Sequence, residues 1–191
     1  MNKFLSILFF FSIHGYLYSN NINQLENSKP STQKNYIKNE ASCIEGYWAK
    51  LNDNQTPRTI FAIYYYKGIY YGRIIATFNK EGVLHETIST KDKDKALGVI
   101  DCPPIIGLDL IWGLEKTDTK CINGKILDPV EGNTYKAEAW IDKNGDLIFR
   151  GKFLLFWKDM TWKRVSKELL EHYKIEYTDL NNIIPSLPKI K

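Results

Sequence analysis

Three histidines, three cysteines and 22 carboxylates are the groups in this chain that could move protons, attack carbonyls or hold metals. Their spacing assembles none of those chemistries. His14 falls in the apolar N-terminal stretch, His85 in a polar connection, and His172 beyond the last patterned segment. No Gly-x-Ser-x-Gly, His-Glu-x-x-His or glycine-rich phosphate loop occurs. No pair of carboxylates falls convincingly on one inner face, where acid–base catalysis would need it. Cys43, Cys102 and Cys121 form no Cys-x-x-Cys and no metal-ligand spacing. They allow one disulfide in three pairings, or free thiols. The reading is therefore a non-enzyme with no cofactor and no metal.

The composition leans toward strands and away from nucleic acid. Twelve Tyr, nine Phe and five Trp make 14% of the chain aromatic, which suits pleated, half-buried strands. A net charge of +4 lacks the concentrated basic face that nucleic acid requires.

Four segments follow from the order of patterns. Residues 1–19 start with Lys3, continue through the apolar run Phe4–Ile13 and end at Ser19, as a secretory signal peptide does. The expected location is therefore secreted or periplasmic. No stretch reaches the roughly 20 apolar residues of a membrane-spanning helix. Residues 20–42, rich in Asn, Lys, Ser and Gln, read as a flexible leader. Residues 43–165 alternate apolar and polar positions between turn signals, including Lys67–Gly68, Asp128–Pro129 and Asn144–Gly145. Eight strands are expected there: 46–52, 58–66, 69–78, 108–117, 120–127, 133–142, 145–151 and 155–164. Residues 166–191 read as a short helix capped by Ser166, with Leu169, Leu170 and Tyr173 on one face, and then coil. The fold class is all-β: an eight-stranded up-and-down antiparallel barrel with a short C-terminal helix.

Three stretches together carry a family resemblance: Gly46-x-Trp48; Gly124–Pro129 with Gly132 and Tyr135; and Arg150–Gly151 with Thr161–Arg164. In order and spacing, over about residues 44–165, the chain resembles an uncharacterised family of secreted bacterial proteins, a domain of unknown function with a calycin or lipocalin-like barrel. The resemblance implies a barrel that could hold an apolar ligand, and no established activity. One position departs: the family usually has Trp three residues before Gly124, where this chain has Cys121.

Strand parity assigns the two rims, since up-and-down connections alternate ends. The turns at 67–68, 117–119 and 142–145 share the rim where Trp48 starts, and Trp162 and Arg164 return to it. That rim is the expected floor, closed by Arg164 over the Trp48 ring, a contact worth about 0.5–2 kcal/mol. The longer connections, chiefly 79–106 and 128–132, form the expected mouth. Cys102 at the mouth and Cys121 at the floor lie too far apart to pair, and Cys43–Cys121 is the less strained choice if any pair forms. Asp128 reads as a turn former, and Arg150 as pointing outward if Leu147 and Phe149 point in. The candidate ligand-binding residues are the inward set Trp112, Tyr135, Ala137 and Phe149, with two alanines leaving room on the sixth strand. The functional reading is a secreted non-enzymatic barrel binding a small apolar ligand, with its protein partner unassigned. The alternative is a protein-interaction or envelope-accessory module with a filled barrel.

Overall fold

The computed structural model describes residues 44–191 except Asp92, Leu154 and the side chain of Phe153. The expected signal peptide, the leader and Cys43 lie outside the described residues. Nine antiparallel strands form one sheet: β1 Gly46–Leu51, β2 Pro57–Tyr66, β3 Ile69–Phe78, β4 Leu84–Thr87, β5 Asp109–Lys116, β6 Cys121–Leu127, β7 Thr134–Ile141, β8 Leu147–Phe153 and β9 Phe156–Val165. Neighbours run β2-β1-β9-β8-β7-β6-β5-β3-β4, and β3 also pairs with β2. Eight strands thus close a lipocalin-like barrel, and β4 extends it beside β3.

The turns have local causes. Lys67 and Gly68 both take positive φ, 48° and 91°, the two-residue turn that matches strand twist. Asn52, Asn79, Asp128 and Asp142 each accept hydrogen bonds from backbone amides two to four residues ahead. These side chains stand in for the backbone pairing that a turn breaks. The additional strand, β4, falls inside the expected long connection. Its four residues are too short to show a period.

Two cores share the sheet. One fills the barrel. The other lies outside β1–β3, where Tyr47, Ile60, Ala62, Tyr64, Ile75 and Phe78 pack under Leu170, Ile175 and Ile183 of the C-terminal segment. Strand β2 is consequently buried on both faces from Thr59 to Tyr64. The helix, α1 Lys167–His172, is capped by Ser166, whose hydroxyl accepts from the Leu169 amide at 3.3 Å. Leu170 is buried, but Leu169 stays 36% exposed, so the apolar face is narrower than the pattern implies. The tail has no regular structure beyond a 3₁₀ turn at Leu180–Asn182, yet it is fastened. Arg73 donates to both Asp109 oxygens, at 3.0 and 2.9 Å, and to the Ile184 carbonyl at 2.7 Å. The Ser186 amide donates to fully buried Asp109.

At the floor, Trp48 and Arg164 occupy paired positions on β1 and β9. The guanidinium lies 4.2 Å from the Trp48 ring centre and donates to the Glu45 carbonyl. The Trp48 indole N–H donates to the Ile44 carbonyl at 2.8 Å. Gly46 makes this possible. With φ at 141°, a Cβ there would stand 2.5 Å from Arg164 Nη1. The Gly-x-Trp and C-terminal Arg of the sequence pattern are thus one physical unit.

Above it, Trp162 stacks between Phe61 at 4.6 Å and Phe149 at 5.0 Å, tilted by 17° and 8°. Its buried indole N–H has no hydrogen-bond partner. This contrast yields a prediction. Trp48→Phe loses a hydrogen bond and weakens a cation–π contact, whereas Trp162→Phe loses volume alone. By denaturant unfolding, Trp48→Phe is expected to cost about 1–2 kcal/mol more. Equal costs would contradict the assignment.

Candidate functional site

The interior is occupied by its own side chains. Trp48, Phe149, Trp162, Leu147, Ile111 and Leu114 are each at most 1% exposed. Of the residues expected to line a ligand site, Ala137 and Phe149 lie in this core. The room beside Ala137 and Ala139 is taken up by packing. Tyr135 is half-buried near the Asp128 turn, and its hydroxyl pKa is raised by burial, then by Asp128 and Glu131. Trp112 is only partly buried and packs against the edge of this core. It pairs with Lys125, which pairs with Lys136, and both lysines are exposed. Two irregularities against β3 account for this. Between the pairs Arg73–Asp109 and Gly72–Ile111, one extra residue turns Leu110 and Ile111 both inward. A second slip at Gly113, with φ at 74°, restores the phase for Leu114. The ring of Trp112 is left half-buried, packed against the core from beside exposed Lys125.

A polar row crosses this interior and has no counterpart in the sequence reading. Pairing places Glu86, Thr77, Thr59, Lys50 and Trp162 side by side on β4, β3, β2, β1 and β9. Phe61 and Trp48, two residues along, fix the row as inward. Among the described residues, the buried side-chain atoms without a partner are Thr77 Oγ1, Glu86 Oε2 and Trp162 Nε1, all in this row. Lys50 is held at a pKa of about 8 by burial first, then by Lys158 and Arg58. Alternation gives these positions no sign of being polar by purpose, so a single sequence cannot flag them.

The expected mouth is shut. Ala96, Val99 and Ile106 of the connection between β4 and β5 belong to the interior core, at 0%, 1% and 5% exposure. The two segments expected to frame an opening instead meet. The Gly98 amide donates to the Pro129 carbonyl at 2.9 Å. A Cβ on Gly98 would fall 2.0 Å from the Gly132 nitrogen. The backbone bond from Ile100 to Lys189 adds the tail to this plug. The Lys–Asp run is thus the solvated edge of a buried segment. Cys102 lies in the plug, while Cys121 is buried at the start of β6. A hollow at the floor, between Ile44, Tyr70, Cys121 and Ile141, has a volume of about 10 Å³, at most one water.

Outside, Arg150 forms a two-pronged ion pair with Asp159 at 2.5 and 2.6 Å. Its guanidinium lies 5.0 Å from the Trp140 ring and 5.7 Å from that of Trp157. The β8–β9 hairpin then projects Leu155, Phe156 and Trp157, which are 86%, 73% and 65% exposed. At the seam of β4 and the plug, the His85, Glu86 and Asp94 donor atoms all lie within 4.8 Å of one another. No helix among the described residues is long and apolar enough to cross a membrane.

Comparison with known proteins agrees with this geometry. A family model described as "Uncharacterized protein conserved in bacteria (DUF2147)" matches residues 46–164. No curated protein matches. Among solved structures, the chain is similar to protein HP1028 from Helicobacter pylori, described as belonging to the lipocalin family. The TM-score is 0.57 at 18% identity, covering 72% of this chain and 93% of that one. At that identity the likeness speaks for the fold alone.

Two expectations follow. Gly98→Ala should cost about 1–3 kcal/mol through the backbone clash, and should increase binding of an apolar fluorescent dye as the plug lifts. Unchanged stability and dye binding would show that the plug is not seated as described. Lys50 binds fewer protons folded than unfolded between about pH 8 and its ordinary value of 10.5. Stability should therefore rise with pH across that window, because the unfolded chain binds more protons there. In pH-dependent unfolding, Lys50→Met should remove this component of the slope.

Proposed function

We propose a docking role for this chain, which belongs to the DUF2147 family of uncharacterized proteins conserved in bacteria. The filled barrel acts as a rigid, non-catalytic scaffold. Its plugged rim seats on an anionic lipid surface through the β8–β9 hairpin. The observation that carries this reading is the exposure of three consecutive apolar residues, Leu155, Phe156 and Trp157, above a core whose described side chains are tightly buried.

Position supports it. The connections at the same rim also expose Val83, Leu97, Ile100 and Val130, whereas Tyr65 is the one large apolar residue exposed beside the described floor turns. Lysines are interleaved with them, Lys91, Lys93 and Lys95 on the plug among Asp94 and Asp101, and Lys158 on the hairpin beside Lys152, which pairs with Glu138. Apolar side chains with Trp among basic neighbours suit the headgroup boundary of a bilayer. A stable protein interface needs about 800 Å² per partner, and the three hairpin side chains would supply well under that. A secretory signal at 1–19 would deliver the chain to a compartment bounded by such a surface.

Co-sedimentation with vesicles of phosphatidylethanolamine and phosphatidylglycerol tests this. Binding is expected to weaken with salt and to fall about tenfold or more in Phe156→Ser/Trp157→Ser, with the unfolding midpoint unchanged. Absence of vesicle binding, or binding indifferent to the double substitution, would overturn it, as would capture by a protein partner alone.

The polar interior row favours a second reading, a carrier of a small ligand. Such a ligand would be polar and not apolar, and would enter only with the plug lifted. Native mass spectrometry of protein from its own host would show a bound mass that Lys50→Met releases.

A further inference from the structure

We propose that His85, Glu86 and Asp94 form a binding site for a divalent transition-metal ion, zinc in the first instance, at the seam between β4 and the plug. The three residues stand at i, i+1 and i+9, a spacing that no metal motif uses. The fold brings them together because β4 presents the first two and the plug folds back to present the third. His85 Nε2 lies 3.8 Å from Glu86 Oε1 and 3.7 Å from Asp94 Oδ2. Zinc binds imidazole nitrogen and carboxylate oxygen at about 2.0–2.2 Å, so tetrahedral ligands stand roughly 3.3–3.6 Å apart. The two separations from His85 need a few tenths of an ångström of closure, and the Glu86 and Asp94 carboxylates, within 4.8 Å of one another, draw together to seat the ion.

The second observation is Glu86 itself. Its side chain is 4% exposed. One oxygen, Oε1, accepts from the Asp94 amide at 2.7 Å. The other, Oε2, is buried with no partner, and so is Oγ1 of Thr77, its cross-strand neighbour. A carboxylate removed from water is costly unless a counter-charge or full hydrogen bonding replaces the solvent. A cation held beside Oε1 would bring the counter-charge to this carboxylate. His85 and Asp94 are 56% and 71% exposed at their side chains, which leaves an entry path and an open position for water. The lysines at 91, 93 and 95 oppose a cation, so the affinity is moderate. Once bound, the ion would clasp Asp94 of the plug to β4 and fasten the lid of the barrel.

Calorimetric titration of the chelator-stripped full chain with zinc chloride is the test. One ion per chain is expected, with a higher unfolding temperature on binding. His85→Ala and Asp94→Ala, both at exposed positions, should each weaken binding by at least the roughly tenfold that even outer-shell partners contribute. Cys102→Ser should leave it unchanged. Cobalt(II) in place of zinc should give a spectrum without a thiolate charge-transfer band. No binding, binding indifferent to both substitutions, or a thiolate band would each overturn the assignment.

Discussion

Closing eight strands on themselves removes the exposed sheet edge but creates an interior that must be filled. Here a stack of three rings does it. Trp162, held between Phe61 and Phe149, spans the barrel from β2 to β8. The floor below, with Arg164 over Trp48, and the plug above, with Val99 and Ile106, both pack into the same core as that stack. The shape is lipocalin-like, and the described core side chains pack against one another within it. The described core residues are tightly buried, and large apolar side chains are exposed at the rim.

The two ends are built on different physics. The floor relies on one aromatic–cation contact and on the absence of a side chain at Gly46. The plug relies on two glycine backbones meeting at Gly98 and Gly132, with the tail laid against it through Ile100 and Lys189. The tail in turn depends on the Arg73–Asp109 ion pair, buried on the Asp109 side. The C-terminal segment is therefore part of the closure and is not an appendage, although it carries almost no regular structure.

Much of the frame was legible because local rules acted there without competition. Lys67–Gly68, Asp128 and Asp142 specify their turns through φ and through side-chain bonds to amides, and the strands between them alternate. Parity alone put Arg164 and Trp48 on one rim and Arg150 on the outer face. The site was less legible. Trp112 is only partly buried because bulges against β3 shift the phase twice, and both depend on tertiary pairing. Alternation predicts which face Lys50, Thr77 and Glu86 share only once register is known, and their chemistry opposes the burial that register imposes. The mouth reads as open because a long charged connection looks solvated. Its buried contacts come from a few small or branched residues, Ala96, Val99 and Ile106, scattered among lysines and aspartates.

The central claim is that the barrel interior is full. Xenon enters dry apolar cavities and scatters strongly, so a crystal of the protein under xenon pressure measures free interior space directly. The account predicts no xenon among Phe61, Ala137, Phe149 and Trp162. An ordered xenon atom bound among those side chains would contradict it.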